Sequence, residues 1–318
     1  MSPDIFLLIF FGILFGIILL VIAPFIIGSI IMYRILLVRT SPEKWSRTCS
    51  WENEEQQRMF DEGKEWGDKY EEKCTQVSIN SEGFRLVGEY FDFGNNKVVI
   101  IIPGRMESGT YSYYFAEPYR KAGYNVLAVD NRSHGLSEGK YNCVGLVEYV
   151  DILHWIRFAH DTLNNEKVVI HGICIGSATG LNAIVNEECP SYVSGFVADG
   201  MYINFKENFK NHLIERRKPV FPFTDIVMKL IEIHAKVSPT EVCPLNQIRD
   251  VFIPILFIYS KEDIYSTPEN GQLLFDKCRS PHKRIQFFEH GEHSHVRINN
   301  VKKYDETIIN FLKEELNH

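Results

Sequence analysis

The stretch KVVIHGICIGSATG, residues 167–180, decides the fold. It begins with β-branched residues typical of a buried strand and continues with small residues at the start of a predicted helix. At its centre, His171-Gly172-Ile173-Cys174-Ile175-Gly176 has the spacing of a nucleophile elbow, with cysteine in place of serine. The residues two positions before and after Cys174 must be small, because this turn is tight and strains the backbone of the nucleophile. Cys174 is therefore the candidate nucleophile, and the N-terminal end of the following helix favours its thiolate.

Short runs that favour strands alternate with helix-length segments on both sides of this stretch. The predicted strands are residues 76–79, 86–91, 98–102, 126–130, 167–170, 193–199, 255–259 and 285–288. Residues 80–83, Asn-Ser-Glu-Gly, form a turn between the first two strands and predict an antiparallel hairpin. The later strands are separated by helix-length segments, which require parallel crossovers. The pattern predicts an α/β fold with a doubly wound, mostly parallel sheet.

The spacing of the strands breaks once, at residues 200–252. This segment predicts a helical lid that is broken in its middle, because it combines aromatic residues with two prolines: Phe205, Phe209, Phe221, Phe223, Pro219 and Pro222. Such a segment covers an apolar ligand pocket or forms an insertion with a small core of its own. The sequence leaves both alternatives open.

Residues 5–33 contain no charged side chain and consist almost wholly of Ile, Leu, Phe, Val and Gly, which predicts one transmembrane helix. The helix would be about 43 Å long against about 30 Å of hydrocarbon, so we expect tilt, a kink at Pro24 or a buried extra turn. Asp4 before the run and Tyr33-Arg34 after it are typical of a retained anchor rather than a cleaved signal peptide. An apolar helix inside a soluble core is the alternative.

The charges beside this helix predict its orientation. Arg34, Arg39, Lys44 and Arg47 follow the helix, and no Lys or Arg precedes it, so the C-terminal bulk should be cytoplasmic. The seven cysteines include no C-x-x-C pair, which is consistent with a reducing compartment. We therefore expect a single-pass membrane protein with its catalytic domain in the cytoplasm.

The segment after the anchor is polar and predicts an amphipathic helix. Met59, Gly63, Trp66 and Tyr70 fall at helical spacing among acidic and basic residues. This helix either packs on the domain or lies at the membrane surface, where Trp45 and Trp51 would be suitable interface residues. The expected organisation is an anchor at residues 1–33, a basic segment and amphipathic helix at residues 34–74, and a main domain at residues 75–318.

The composition excludes several classes of function. The chain has 318 residues, of which 45% are hydrophobic, so it can bury a large core and is not expected to be disordered. Its formal net charge of −7 argues against a nucleic-acid partner. The sequence has neither an H-E-x-x-H helix nor a G-x-x-x-x-G-K-[ST] loop, and we expect no metal or nucleotide cofactor.

Three motifs in order, PGRMES at residues 103–108, DNRSHGLS at residues 130–137 and the elbow at Cys174, resemble the α/β-hydrolase superfamily. The resemblance covers the chain from about Thr75 onward. Within the superfamily, these motifs are similar to those of the serine-aminopeptidase-like branch, which includes monoacylglycerol lipases and lysophospholipases. Two departures matter: the cysteine nucleophile is similar to that of dienelactone hydrolases, and Pro103 stands where the family often has histidine.

The resemblance implies a triad in the order nucleophile, acid, histidine. It assigns Cys174 as the nucleophile, Asp263 as the acid and His293 as the base, with His290 and His295 as weaker candidates. It also implies an oxyanion hole formed by the backbone N–H groups of Arg105 and Ile175. The side chain of Arg105 would form a salt bridge to Glu107 or contact an anionic substrate headgroup. Ser137 in GLSEG, residues 135–139, matches the literal serine motif, but no helix begins on it.

These residues predict a membrane-anchored hydrolase that cleaves acyl esters through a covalent acyl-enzyme. Lipid-like esters, thioesters and lactones are better substrates than peptides, because a thiolate leaves a tetrahedral adduct more readily than an amine does. The alternatives are a catalytically silent binding module that keeps this fold, and an acyltransferase. The sequence predicts a small-molecule or lipid-like substrate and a membrane contact, and it does not give an oligomeric state.

Overall fold

The computed structural model describes residues 3–48 and 53–316 and contains one eight-stranded sheet. The strands are β1 Cys74–Ser81, β2 Phe84–Phe91, β3 Lys97–Ile102, β4 Asn125–Val129, β5 Lys167–Ile173, β6 Val193–Asp199, β7 Ile255–Ser260 and β8 Lys283–Phe288. Their order across the sheet is β1-β2-β4-β3-β5-β6-β7-β8. Strand β2 is antiparallel to β1 and β4, and the other neighbours are parallel. The predicted α/β sheet is confirmed.

Helices cover both faces of this sheet. They are α1 Pro3–Leu37, α2 Glu54–Lys69, α3 Gly109–Ser112, α4 Glu117–Lys121, α5 Tyr149–Asp161, α6 Ile175–Ile184, α7 Phe205–Glu215, α8 Phe223–Ala235, α9 Pro244–Gln247, α10 Pro268–Lys277, α11 Val296–Asn299 and α12 Val301–Glu315. One core lies between the sheet and α5, α6 and α10, and the other lies between the sheet and α2, α4 and α12. Strand β3 has apolar residues buried on both faces, as its sequence predicts for a central strand.

Helix α1 is long and apolar enough to cross a membrane. It contains a π-helical segment, Ile18–Ile22, immediately before the turn that contains Pro24. Proline has no N–H and crowds the preceding turn, and a widened turn accommodates it. None of the residues Pro3–Ile17 is buried, whereas Ser29, Tyr33 and Leu37 are buried against the rest of the chain. Of the three ways in which the sequence would accommodate the length of α1, buried turns are present at its C-terminal end.

The C-terminal part of α1 packs on α8 in the segment predicted as a lid. A Cβ on Gly28 would lie 3.0 Å from Cε1 of Phe223, so the two helices approach closely where α1 has no side chain. The Tyr33 hydroxyl lies 3.1 Å from Nδ1 of His234, and the two rings stack with centroids 5.4 Å apart. Residues of α1, α7 and α8 form one hydrophobic cluster with Ile175 at the elbow. The C-terminal part of α1 therefore packs together with the segment predicted as a lid.

The amphipathic helix α2 packs on the main domain. Its backbone at Gly63 lies against the backbone of Tyr114, and the indole Nε1 of Trp66 donates to Glu117 at 2.8 Å. Trp45 is buried and stacks on the His134 ring at 4.4 Å. The structure therefore favours the packing alternative for this helix over an arm at the membrane surface. Trp51 lies outside the described residues.

Candidate active site

Cys174 occupies the sharp turn between β5 and α6. Its backbone has φ 53° and ψ −113°, a conformation that costs a non-glycine residue free energy. A Cβ on Gly172 would lie 2.4 Å from the backbone of Ser177, and one on Gly176 would lie 2.2 Å from the carbonyl oxygen of Ile102. Both positions therefore require glycine, and the half-buried Cys174 is presented at the carboxyl end of the central strands.

Asp263 and His293 are in direct contact beside the elbow. Nδ1 of His293 donates to Oδ2 of Asp263 at 2.7 Å. The other carboxylate oxygen of Asp263 accepts the backbone N–H groups of Tyr265 and Ser266, each at 2.8 Å. The two backbone N–H groups thereby fix the Asp263 side chain through Oδ1. Its Oδ2 orients the His293 ring.

The His293 ring also interacts with Cys174. Burial by itself lowers the pKa of His293, but the negative charges of Asp263 and Cys174 outweigh burial and hold that pKa well above its usual value. Nε2 is buried and makes no hydrogen bond of standard geometry with the described residues, although the Cys174 thiol is close enough to act on the ring. The structure thus brings together the three residues predicted as the triad.

The weaker candidates from the sequence have other contacts. His290 is exposed and pairs with Glu262 at 3.0 Å, and His295 is buried with Nδ1 3.2 Å from Glu55. The Ser137 hydroxyl is buried, donates to the carbonyl oxygen of Asp130 and accepts the N–H of Val87, both at 2.9 Å. Ser137 therefore joins two strands and is not exposed as a nucleophile would be.

The loop at residues 103–108 carries the predicted oxyanion donor Arg105 and lies beside Ile175. Nδ2 of Asn131 donates to the carbonyl oxygen of Pro103, Nε2 of His134 contacts the carbonyl oxygen of Arg105, and a carboxylate oxygen of Glu107 accepts the N–H of Gly104 at 2.9 Å. These contacts fix both peptide groups that flank the Arg105 N–H.

The side chain of Arg105 differs from one of its expected roles. No salt bridge to Glu107 forms, and the guanidinium donates to the carbonyl oxygen of Leu36 at 3.2 Å, at the end of α1. Glu107 instead accepts from Gly104 and from Nε2 of Gln56, and burial raises its pKa to about 7. Both carboxyl oxygens of Glu107 thus already have donors, Gly104 for Oε2 and Gln56 for Oε1.

Sequence reasoning missed two buried carboxyl groups that support the site. Glu107 shapes the loop of Arg105, and Asp199 ends β6 next to the elbow and accepts the Tyr304 hydroxyl at 2.6 Å. Burial raises the pKa of Asp199 to about 7. The only signal in the sequence was the position of Asp199 at the end of an apolar strand, where side chains of a parallel sheet face a site.

Helix α7 covers the site from the lid. Its His212 ring stacks on Tyr265 at 3.7 Å, and Tyr265 meets the His293 ring edge-on at 5.6 Å. Burial and the nearby positive charges of Arg105, His293 and Arg216 lower the pKa of His212 to about 3. The lowered pKa keeps His212 neutral at physiological pH, and the Tyr265 ring contacts both His212 and the proposed base. Within residues 3–48 and 53–316, no group of three or more His, Cys, Asp or Glu side chains is arranged to bind a metal ion.

A family model described as the alpha/beta hydrolase fold matches residues 97–225, which include the Arg105 loop and the elbow. Together with the sheet order and the strained turn at Cys174, this match identifies the architecture. The protein has the α/β-hydrolase fold. The order of strands in the sheet agrees with the fold that the sequence motifs predict.

Solved structures share this α/β-hydrolase fold. The esterase PF2001 of Pyrococcus furiosus aligns with a TM-score of 0.66 and 21% identity, over 79% of this chain and 94% of its own. Mouse alpha/beta hydrolase domain-containing protein 10 aligns with a TM-score of 0.57 and 16% identity, over 76% of this chain and 99% of its own. In sequence, the chain is 28% identical to the uncharacterized protein YqkD of Bacillus subtilis strain 168, over 80% of this chain and 85% of the relative.

Proposed function

We propose that this protein is a membrane-anchored hydrolase that cleaves acyl esters through Cys174, His293 and Asp263. The observation that carries the proposal is the His293 ring, which binds Asp263 through Nδ1 at 2.7 Å and keeps its buried Nε2 without a hydrogen bond among the described residues, beside the strained elbow. Such a chain of nucleophile, base and orienting acid is the arrangement that activates a nucleophile for acyl transfer. The likeness to a protein described as an esterase agrees with this chemistry.

The reaction has two halves. In the first, Nε2 of His293 takes the thiol proton, the sulfur bonds to the acyl carbon, and the C–O bond to the leaving alcohol breaks as His293 returns the proton to it. In the second, His293 takes a proton from water, the hydroxide displaces sulfur from the acyl carbon, and the thiol regains a proton. The products are a carboxylic acid and an alcohol.

Asp263 and two backbone donors stabilise the charges of this reaction. The carboxylate of Asp263 fixes the tautomer of His293 and stabilises the imidazolium that forms. The N–H groups of Arg105 and Ile175 would donate to the tetrahedral oxyanion. Neither N–H donates to another backbone carbonyl outside the helices among the described residues, so both are available.

Sulfur as the nucleophile limits the substrates. Thiolate attacks well at neutral pH, and it is also a better leaving group than an amine. A tetrahedral adduct of an amide therefore reverts to substrate, whereas esters, thioesters and lactones proceed. The same acyl-enzyme could pass its acyl group to an acceptor other than water, which makes an acyltransferase the related alternative.

The membrane part of the proposal depends on α1. Its 35 residues are long and apolar enough to span a bilayer, and Arg34, Arg39, Lys44 and Arg47 follow its apolar part. A positive flank of this kind is retained on the cytoplasmic side. We therefore place the catalytic domain in the cytoplasm, with its site next to the membrane.

The test is hydrolysis of a short and a long p-nitrophenyl ester by the full chain in detergent. The full chain is used because residues 28–38 pack into the lid segment. Cys174→Ala and His293→Ala should each lower kcat by about a thousandfold or more, since members of a triad act as a unit. Ser137→Ala is the matched control, because Ser137 lies in the other G-x-S-x-G motif. When folded, this variant should show the same pH profile of ester hydrolysis as wild type. Equal turnover by wild type and Cys174→Ala would exclude the thiol mechanism, and no turnover by either would leave the silent binding module.

A further inference from the structure

A cavity of about 250 Å³ lies between the predicted anchor and the lid. One wall consists of α1 residues, including Ile31, Met32 and Ile35, and the opposite wall consists of α7 residues, including Phe205 and Phe209. Most of this lining is apolar, so the cavity suits a hydrocarbon chain. The helix that would hold the protein in the bilayer is therefore also part of a binding cavity.

This cavity leads to the proposed active site. Arg105, whose N–H is the proposed oxyanion donor, and His212 both line it. The His212 ring stacks on the Tyr265 ring at 3.7 Å, and the Tyr265 ring meets that of His293 edge-on at 5.6 Å. An acyl chain in the cavity would thus place its ester group near the thiol.

A second cavity of about 610 Å³ continues along α1. It shares Ile31 and Ile35 with the first cavity and is also lined by Ile27 and Arg34. Because a turn of helix rises about 5.4 Å, Ile27, Ile31 and Ile35 form a ridge that runs toward the membrane-spanning part of α1. A chain too long for the first cavity would therefore extend along this ridge toward the bilayer.

The polar end of the first cavity is positively charged. Arg105, Arg216 and Lys218 line it, and no acidic side chain does so among the described residues. The Arg216 guanidinium lies 3.7 Å from the exposed Glu215, an interaction that solvent screens. Three cationic side chains with one exposed carboxylate nearby favour an anionic ligand group.

Building on the proposed esterase function, we propose that α1 forms the acyl-binding wall of the site, and that the substrate is a single-chain acyl ester with a negatively charged headgroup. The chain lies against Ile31 and Ile35, and the headgroup binds Arg216 and Lys218. The substrate enters sideways from the membrane, between α1 and α7. The anchor thus determines specificity and does not serve only as a tether.

The test measures binding of uncleavable ethers, so its outcome does not depend on catalysis. The full chain in phosphatidylcholine nanodiscs is titrated with tritium-labelled 1-O-dodecylglycerol and with its 3-phosphate, and empty nanodiscs give the background. We expect saturable binding of both ethers. The phosphate should bind about tenfold more tightly, because its charge-assisted hydrogen bonds with Arg216 and Lys218 add to the binding free energy. The pair Arg216→Gln and Lys218→Gln should abolish this preference and leave the affinity for the neutral ether unchanged.

The wall of α1 is tested with bulky substitutions. Ile31→Trp fills the cavity and should weaken binding of both ethers about tenfold, whereas Ile31→Leu, which conserves volume, should bind like wild type. Ile26→Trp is the matched control, because Ile26 is an exposed α1 residue that lines neither cavity. Unchanged melting temperatures show that the variants fold.

Three results would overturn the inference: no saturable binding, equal affinity for the phosphate and the neutral ether, or equal binding by Ile31→Trp and Ile26→Trp. Ester hydrolysis by wild type is measured in parallel. Binding without turnover would contradict the proposed function and leave the assignment of this cavity intact. Turnover without selective binding would support the proposed function and contradict the assignment of this cavity.

Discussion

The backbone N–H of Cys174 donates to the carbonyl oxygen of Asp199 at 2.8 Å, so the elbow is hydrogen-bonded to the end of the neighbouring strand β6. The Ser177 hydroxyl donates to the same oxygen at 3.0 Å and to the carbonyl oxygen of Gly172 at 2.5 Å. These contacts hold Cys174 in its unfavourable backbone conformation.

Replacing Ser177 with alanine should destabilise the protein, because two buried carbonyl groups lose a donor. We expect a loss of about 1–3 kcal/mol in the free energy of unfolding, measured by denaturant titration in detergent. Ser194→Ala is the control, since the half-buried Ser194 hydroxyl donates to one carbonyl oxygen, that of Val168, at 3.2 Å. Equal losses for both variants would contradict a special role of Ser177 at the elbow.

Replacing Glu107 with alanine should impair catalysis through the Arg105 loop, because the Gly104 N–H loses its acceptor. We expect kcat to fall about ten- to a hundredfold with little change in KM, since a displaced oxyanion donor affects the transition state. Glu107→Gln keeps an oxygen acceptor and should retain most of kcat. A rise in KM alone, or equal effects of both substitutions, would show that Glu107 does not position this loop.

The buried carboxyl of Asp199 should make stability depend on pH. Its pKa is raised from 3.8 to about 7, mainly by burial, so between these values the folded state binds a proton that the unfolded state has lost. Its stabilising contribution is full below about pH 4 and is lost as pH rises toward 7, with a slope of up to about 1.4 kcal/mol per pH unit.

The measurement is the free energy of unfolding of wild type minus that of Asp199→Asn at several pH values. This difference should decrease from pH 4 to pH 7 and be flat above that range. Tyr304→Phe removes the hydroxyl that lowers the pKa of Asp199, so it should extend the decrease to higher pH. A difference that rises with pH would mean that Asp199 is charged in the folded state.

The orientation of the protein is tested by proteolysis. Protease added outside intact cells should leave the domain uncut, because the basic residues after α1 predict that it is cytoplasmic. Cells permeabilised with detergent are the control, and there the exposed loops should be cut. Digestion in intact cells would place the domain on the opposite side of the membrane.

The centre of the sheet could be predicted from the sequence because its strands are buried on both faces and carry a run of apolar residues, as in β3. All eight predicted strands are present, with ends that differ by up to three residues. The sequence predicts that the helix after Cys174 runs from about Ile175 to Glu188, whereas helix α6 ends at Ile184 and residues 185–188 form turns and a bend.

The surroundings of the candidate site were less predictable. The choice of His293 over His290 and His295 depended on the family resemblance, since spacing alone does not distinguish three histidines in one loop. The contact between Arg105 and Leu36 joins residues 69 positions apart, and the packing of Tyr33 on His234 joins residues 201 positions apart. Neither contact leaves a periodic pattern, so only the three-dimensional structure shows that α1 reaches the site.

The packing of Tyr33 and Leu37 into the hydrophobic cluster of α1, α7 and α8 has a consequence for protein production. A soluble form made by deleting everything before residue 40 would remove both side chains and expose the apolar residues of α7 and α8 that cover them, such as Phe209 and Val227. Such a truncation would aggregate. A shortened protein that begins at Gly28 keeps Tyr33 and Leu37, retains the cluster and offers a better starting point for crystallisation.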